Sequence, residues 1–306
     1  MTRMPRPRLF GSAKVDAINE AIESNSVAPD TGLRRRTISL LPNLVTIFAL
    51  AAGLSAIHYA SDGRILLALA LIGVAAALDA LDGRLARILG AQSKIGEQLD
   101  SLCDAINFGV TPALVTYFSL FGNERGLVQD LAWMATVIYT AAIVLRLARF
   151  NTLLEDEERP VFHKEFFVGV PAPPSALLVL APVVAWAKFG DGWWSSPIVV
   201  SVWLVVVACL AFSKIPTLSL KTVRIRQRLV PAVLAVFVVL VALLLTQPLI
   251  TLLIIDSAYL AHVPFAMTTY LWLSSTPEAW EVHGRERREI RSAGRKRRRP
   301  RLRLRG

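Results

Sequence analysis

Apolar residues run along this chain in long blocks, not in the alternation of a half-buried strand or the single stripe of a water-facing helix. Eight blocks stand out, at 38–60, 64–88, 100–121, 128–151, 172–190, 194–213, 228–246 and 248–273. Each approaches the roughly 20 residues that a helix needs to cross the hydrocarbon layer. Polar breaks between them are short, and only Thr246-Gln247-Pro248 divides the last two. A single kinked helix over both would be too long for one crossing, so a tight turn is expected there. Backbone in lipid must satisfy its own hydrogen bonds, and the pattern therefore predicts an all-α, polytopic membrane helix bundle. No room is left for a sizeable soluble domain. The chain divides into an N-terminal segment (1–37), a transmembrane domain (38–275) and a basic tail (276–306).

Charge sets the orientation. With residue 1 in the cytoplasm and eight crossings, every Lys and Arg of the 34 falls on the cytoplasmic side except Arg64, Arg125 and Lys188. Seven crossings would put the basic tail on the wrong side. The first 37 residues carry charges throughout and lack an apolar core segment, so no cleavable signal peptide is expected. Much of the net charge of +11 lies between Arg285 and Arg305. Aromatics do not interleave with these bases, which argues against a nucleic-acid partner and for a solvated tail beside anionic lipid. Cys103 and Cys209 both fall inside spans and read as small apolar residues, not as a disulfide or a thiolate metal site.

Against this background four carboxylates break the membrane rule, since each costs several kcal/mol near the bilayer centre unless paired, hydrated or metal-bound. Asp79 and Asp82 close the second span at spacing i, i+3, and Asp100 and Asp104 open the third at i, i+4. Residues so spaced share a helix face, so two antiparallel helices joined by a short connection can aim all four at one point. An all-oxygen site without Cys or His suits a hard divalent cation, Mg²⁺ or Mn²⁺, and four carboxylates suffice for two ions. Phosphoryl transfer is the chemistry such a site serves. Gly83 leaves room for a ligand against the helix backbone, Gly96 plays a similar part across the cluster, and Arg87 offers a forked donor for phosphate. A transporter would also carry intramembrane carboxylates, but no internal repeat is evident.

Together, Asp79-x-x-Asp82-Gly83-x-x-Ala86-Arg87, eight residues, then Gly96-x-x-x-Asp100-x-x-x-Asp104 resembles the signature of the CDP-alcohol phosphatidyltransferases at every position. The resemblance implies a six-helix catalytic core, here followed by two further C-terminal transmembrane helices, with a cytoplasm-facing site and homodimerisation. It implies metal binding by Asp79, Asp82, Asp100 and Asp104, a general-base role for Asp104, and contact of Gly83 and Arg87 with the CDP moiety. Pro42-Asn43-Leu44-Val45-Thr46 resembles the family's nucleotide-side contact, which singles out Asn43 and Thr46, although Pro and Asn also suit an ordinary helix entry.

Three further stretches resemble the bacterial phosphatidylserine synthases within that family. They are Asn107-Phe108-Gly109-Val110-Thr111-Pro112-Ala113, Arg146-Leu147-Ala148-Arg149-Phe150-Asn151 and Phe167-Val168-Gly169-Val170-Pro171-Ala172-Pro173, with Ser213-Lys214-Ile215-Pro216 beyond them. Many relatives hold Ser in place of Asn107, a departure that weakens a substrate role for this side chain. The implied reaction transfers a phosphatidyl group from CDP-diacylglycerol to serine in a bacterial inner membrane; the alternative acceptor is glycerol 3-phosphate. A zwitterionic acceptor needs a cation for its carboxylate and an acceptor for its ammonium, and Arg146, Arg149 and Asn151 are the candidates. The positive-inside rule explains both arginines without any ligand. Asp256 and His262, in the last span, suggest a helix-helix hydrogen bond; His58 and His163 sit near interfaces, Trp193 and Trp194 read as interfacial anchors, and Asp16 to Glu23 as a short surface helix.

Overall fold

Long apolar runs become helices here, and the computed structural model shows where each begins and ends. It describes residues 31–90, 93–122, 124–154, 166–213, 216–218, 227 and 230–274. The expected surface helix at 16–23, His163, Lys214, Ile215 and the tail from 276 lie outside the described residues.

Helix α1 (Thr31–Ser61) turns through Gly63, in the left-handed region at φ 74°, into α2 (Ile65–Leu89). Gly90, also left-handed, ends α2 by donating its N–H to the carbonyls of Ala86 and Arg87. Ser93 then caps α3 (Lys94–Asp104), its hydroxyl accepting the N–H of Gly96 at 3.0 Å. The chain continues through a π-helical turn, Ala105–Val110, into α4 (Thr111–Phe121), and then α5 (Leu127–Leu154). Next come strand β1 (Phe166–Val168), α6 (Ala172–Phe189), a 3₁₀ turn (Trp193–Ser195), α7 (Pro197–Phe212), strand β2 (Pro216–Leu218), α8 (Val230–Thr246) and α9 (Pro248–Ser274).

This is a polytopic membrane helix bundle. Among the described residues five stretches are long and apolar enough to cross a bilayer: Leu41–Ser61, Ile65–Leu89, Leu127–Thr152, Ala172–Phe189 and Pro248–Leu271. Pro197–Phe212 and Val230–Thr246 are shorter apolar helices. The third expected span differs from its expectation, because its helix starts at Lys94, not at 100, and is interrupted by the π turn; the first helix likewise starts early, at Thr31 and not at 38. Hydropathy marks where lipid begins, whereas the Ser93 cap marks where the backbone starts to coil; the helix projects beyond the apolar run. The two three-residue strands were not expected. They pair antiparallel, Phe166 opposite Leu218 and Val168 opposite Pro216, and tie the approach to α6 to the exit from α7.

The main core lies where α4, α5, α6 and α7 meet, around Phe121, Tyr139, Ile143, Leu178 and Leu204, all fully buried. A smaller cluster joins α1, α2, α4 and α6 through Ala56, Ala60, Ala68, Ile72 and Val115. Small residues dominate the buried face of α1, where Ala49, Ala56 and Ala60 flank Gly53, and they let neighbouring helices approach closely. Helix α9 packs on α6, whereas α8 has α9 as its main neighbour and buries none of its residues. Asp256 is buried on α9, and no hydrogen bond to it is seen among the described residues. His262 instead lies near the ring of Tyr259 at 6.4 Å.

Candidate active site

The N-terminal part of α1, the C-terminal end of α2 and the start of α3 converge, and the carboxylates meet there. Carboxylate oxygens of Asp79 and Asp82 on α2 and of Asp100 on α3 all lie within 4.8 Å of one another. Asp82 is only 3% exposed, and neither of its oxygens has a hydrogen-bond partner among the described residues. Burying such a group without a partner is costly, and three carboxylates this close repel one another. An all-oxygen cluster of this kind fits a hard divalent cation, which would supply the missing partners. Asp104, the last residue of α3, stands a turn deeper, within hydrogen-bonding reach of Asp79, with its Oδ1 buried and unpartnered among the described residues.

A cleft of about 190 Å³ opens beside this cluster. Its walls include Asp82, Gly83 and Arg87 from α2, Gly96 and Asp100 from α3, and Asn43 and Thr46 from α1. Residues some fifty positions apart are thus brought to one cavity. Arg87 donates Nε to the Gly83 carbonyl at 2.8 Å, a bond that orients its guanidinium along the wall and leaves its other nitrogens for a ligand. A Cβ on Gly83 would meet only Arg87 Nη2, at 4.0 Å, so the glycine leaves this side of the cleft open. Gly96 is different. A Cβ there would come within 3.0 Å of Asn43 Oδ1 and 3.1 Å of Ser93 Oγ, so its missing side chain admits α1 more than a ligand. Thr46 donates its hydroxyl to the Pro42 carbonyl at 3.1 Å and lies beside Asp82. Ser93 and Glu97 also line the cleft and were not anticipated; the cap signature of a serine just before a polar first turn was the available signal for Ser93.

The three residues considered for the acceptor separate clearly. Arg146 is 7% exposed, its Nε is buried without a hydrogen-bond partner among the described residues, and Asp104 is the first of the charged groups within its electrostatic reach. Helix register accounts for this placement: Tyr139 of α5 bonds to Phe108 and Asn151 bonds to Ser101, so Arg146 falls between them at the depth of Asp104. Arg149 points elsewhere, donating to the Phe212 carbonyl at 2.8 Å with its guanidinium 4.3 Å from the centre of the Phe212 ring. Asn151 donates to Ser101 Oγ at 3.0 Å and so joins α5 to α3.

Residues 39–212, from the first span through the last residue of α7, match the CDP-alcohol phosphatidyltransferase family. The chain belongs to that family. The matched segment runs from α1 to the end of α7, and α8 and α9 lie beyond it. The chain is 39% identical over 265 residues to a CDP-diacylglycerol–serine O-phosphatidyltransferase of Mycobacterium bovis, covering 87% of this chain and 91% of the relative. It is also 39% identical over 264 residues to the protein of the same description from Mycobacterium leprae, covering 86% of each. A Helicobacter pylori relative with that description is 37% identical over 150 residues, 49% of this chain and 60% of its own.

Proposed function

We propose that this phosphatidyltransferase moves the phosphatidyl group of CDP-diacylglycerol to L-serine, giving phosphatidylserine and CMP. The observation that carries the reading is the likeness to serine-using enzymes over nearly the whole of both chains, 87% and 91%, beyond the family domain alone. Asp79, Asp82, Asp100 and Asp104 hold Mg²⁺ or Mn²⁺, and their number suits two ions. When bound there, the metal would supply charge neutralisation for the phosphate groups held beside these aspartates. CDP-diacylglycerol lies with its acyl chains in lipid and its nucleotide in the cleft, where Gly83 leaves space and Arg87, Asn43 and Thr46 offer polar contacts.

Serine enters from the cytoplasm. Asp104 accepts the proton of its hydroxyl, and the oxygen attacks the phosphorus that carries the diacylglycerol in line with the departing CMP. One P–O bond forms and the pyrophosphate P–O bond breaks. Arg146, at the depth of Asp104, receives the serine carboxylate, while Asn151 and Arg149 support the same wall through their contacts with α3 and α7. In this reading 38–275 is the catalytic domain of a cell-membrane protein whose termini and site face the cytoplasm, the basic tail lies on anionic lipid, and the enzyme works as a homodimer.

The test is CMP release by purified protein in detergent with CDP-diacylglycerol, comparing serine with glycerol 3-phosphate, each with Mg²⁺, Mn²⁺ or chelator. Serine-dependent, chelator-sensitive release is the expected result. Release with glycerol 3-phosphate alone would keep the chemistry and discard serine; no release with either alcohol would overturn the reading.

A further inference from the structure

Asp104 is followed at once by the π-helical turn Ala105–Val110, and what grips that turn sets where Asp104 points. A π turn is a rare single-turn departure from the α ladder, with i→i+5 bonds, so its neighbours must accommodate its wider shape. On one side α5 holds it: Tyr139 donates its hydroxyl to the Phe108 carbonyl at 2.8 Å, and a Cβ on Gly109 would lie 3.3 Å from Ile143 Cγ2. On the other side is α1. Asn107, at the middle of the turn, is 1% exposed, and a Cβ built on Gly53 would run into its Oδ1 and stand 3.2 Å from its Cγ and 3.3 Å from Thr111 Oγ1. The asparagine amide thus occupies the space of the side chain that Gly53 lacks.

Neither amide atom of Asn107 has a conventional hydrogen-bond partner among the described residues. The fit against Gly53, with its Cα hydrogen directed at Oδ1, is what holds the side chain. Helix α1 carries this contact to the cleft, because Thr46, beside Asp82, lies two turns before Gly53 on the same face. One helix therefore touches both the wall of the cleft and the turn that begins directly after Asp104.

We propose that Gly53 and Asn107 form a size-matched pair of positioning residues that sets the distance between Asp104 and the α1 side of the cleft. The proposal rests on the reading of Asp104 as base given above. Lengthening either member pushes the π turn away from α1 and carries Asp104 with it; shortening the other relieves the push. An error of about 1 Å at a reacting group costs on the order of a hundredfold in rate.

The experiment uses full-length protein with Cys209→Ser, so that Cys103, next to Asp104 and buried, is the single thiol. Gly53→Ala, Asn107→Gln, Asn107→Ser and the double variant Gly53→Ala/Asn107→Ser are compared by CMP release with serine and, in metal-free protein, by the alkylation rate of Cys103. Gly53→Ala and Asn107→Gln are each expected to lower kcat about tenfold or more with KM for both substrates within about twofold, and to speed alkylation. Asn107→Ser alone lowers kcat about threefold, and the double variant returns to that level in both readouts. A Gly53→Ala enzyme as fast as the parent, or a double variant as slow as Gly53→Ala, would overturn the pairing. Should Gly53→Ala not accumulate in the membrane, Asn107→Gln at the parent's kcat overturns it instead. Failure of the parent itself to release CMP with serine would count against the functional reading, and the alkylation rates would still judge the pair.

Discussion

Replacing Asp82 by Asn separates two effects that a metal site combines. In the metal-free protein Asp82 lies within 4.8 Å of two other carboxylates, Asp79 and Asp100. Two unit charges at that distance and an effective dielectric near 20 repel by about 3 kcal/mol. Removing one charge relieves two such pairs, and protonation in the metal-free state already relieves part of the strain, so a net gain of about 1–2 kcal/mol is expected. At about 2–4 °C per kcal/mol for a chain of this size, the unfolding midpoint should rise by a few degrees. With metal the sign reverses. Saturation at 100 times the dissociation constant stabilises the parent by about 2.7 kcal/mol, and the variant should lose most of that gain. Its CMP release should fall by more than the 10- to 100-fold that losing an outer-shell partner typically costs. Thermal unfolding in detergent, followed by the fluorescence of the seven tryptophans with Mn²⁺ or with chelator, measures both signs. A variant less stable than the parent in chelator, or one that keeps the Mn²⁺-induced shift, would refute the assignment of Asp82 to the metal site.

Four further outcomes follow from the contacts described. Arg87→Lys keeps the charge but loses the Nε bond to the Gly83 carbonyl and the forked geometry, so KM for CDP-diacylglycerol should rise about tenfold while KM for serine holds, as initial-rate kinetics would show. Arg146→Lys and Arg149→Ala should split: the first raises KM for serine, while the second, by removing the bond to the Phe212 carbonyl, lowers stability by about 1–2 kcal/mol with little change in KM. Gly169→Ala should cost about 2 kcal/mol or more in thermal unfolding, because φ is 79° and the new methyl would run into the Ala211 carbonyl. Gly63→Ala, at φ 74° with open space around it, should cost only about 1 kcal/mol.

Much of the site was legible because its logic is local. The pairs Asp79/Asp82 and Asp100/Asp104 declare a shared face through spacing alone, and the short connection between their helices forces the faces together. Asn43 and Thr46, singled out by resemblance, do line the same cleft as Gly83 and Arg87. Less legible was how these residues divide their duties. Gly83 and Gly96 look alike in the sequence, yet one faces open space and the other is packed by Asn43 and Ser93. Arg146 and Arg149 are three residues apart with the same charge, yet one is buried at the depth of Asp104 and the other reaches α7.

The sequence by itself determined the membrane class, nearly every helix and the carboxylate cluster, since hydropathy and i to i+4 spacing are properties of the local chain. Where each helix is rotated against its neighbours was decided only by the tertiary structure. That rotation selects the arginine that lies near Asp104, fills the space over Gly53 with the Asn107 amide, and pairs Phe166 with Leu218 across fifty residues. Such contacts depend on the packing of several helices at once, and no single stretch of residues carries the information to specify them.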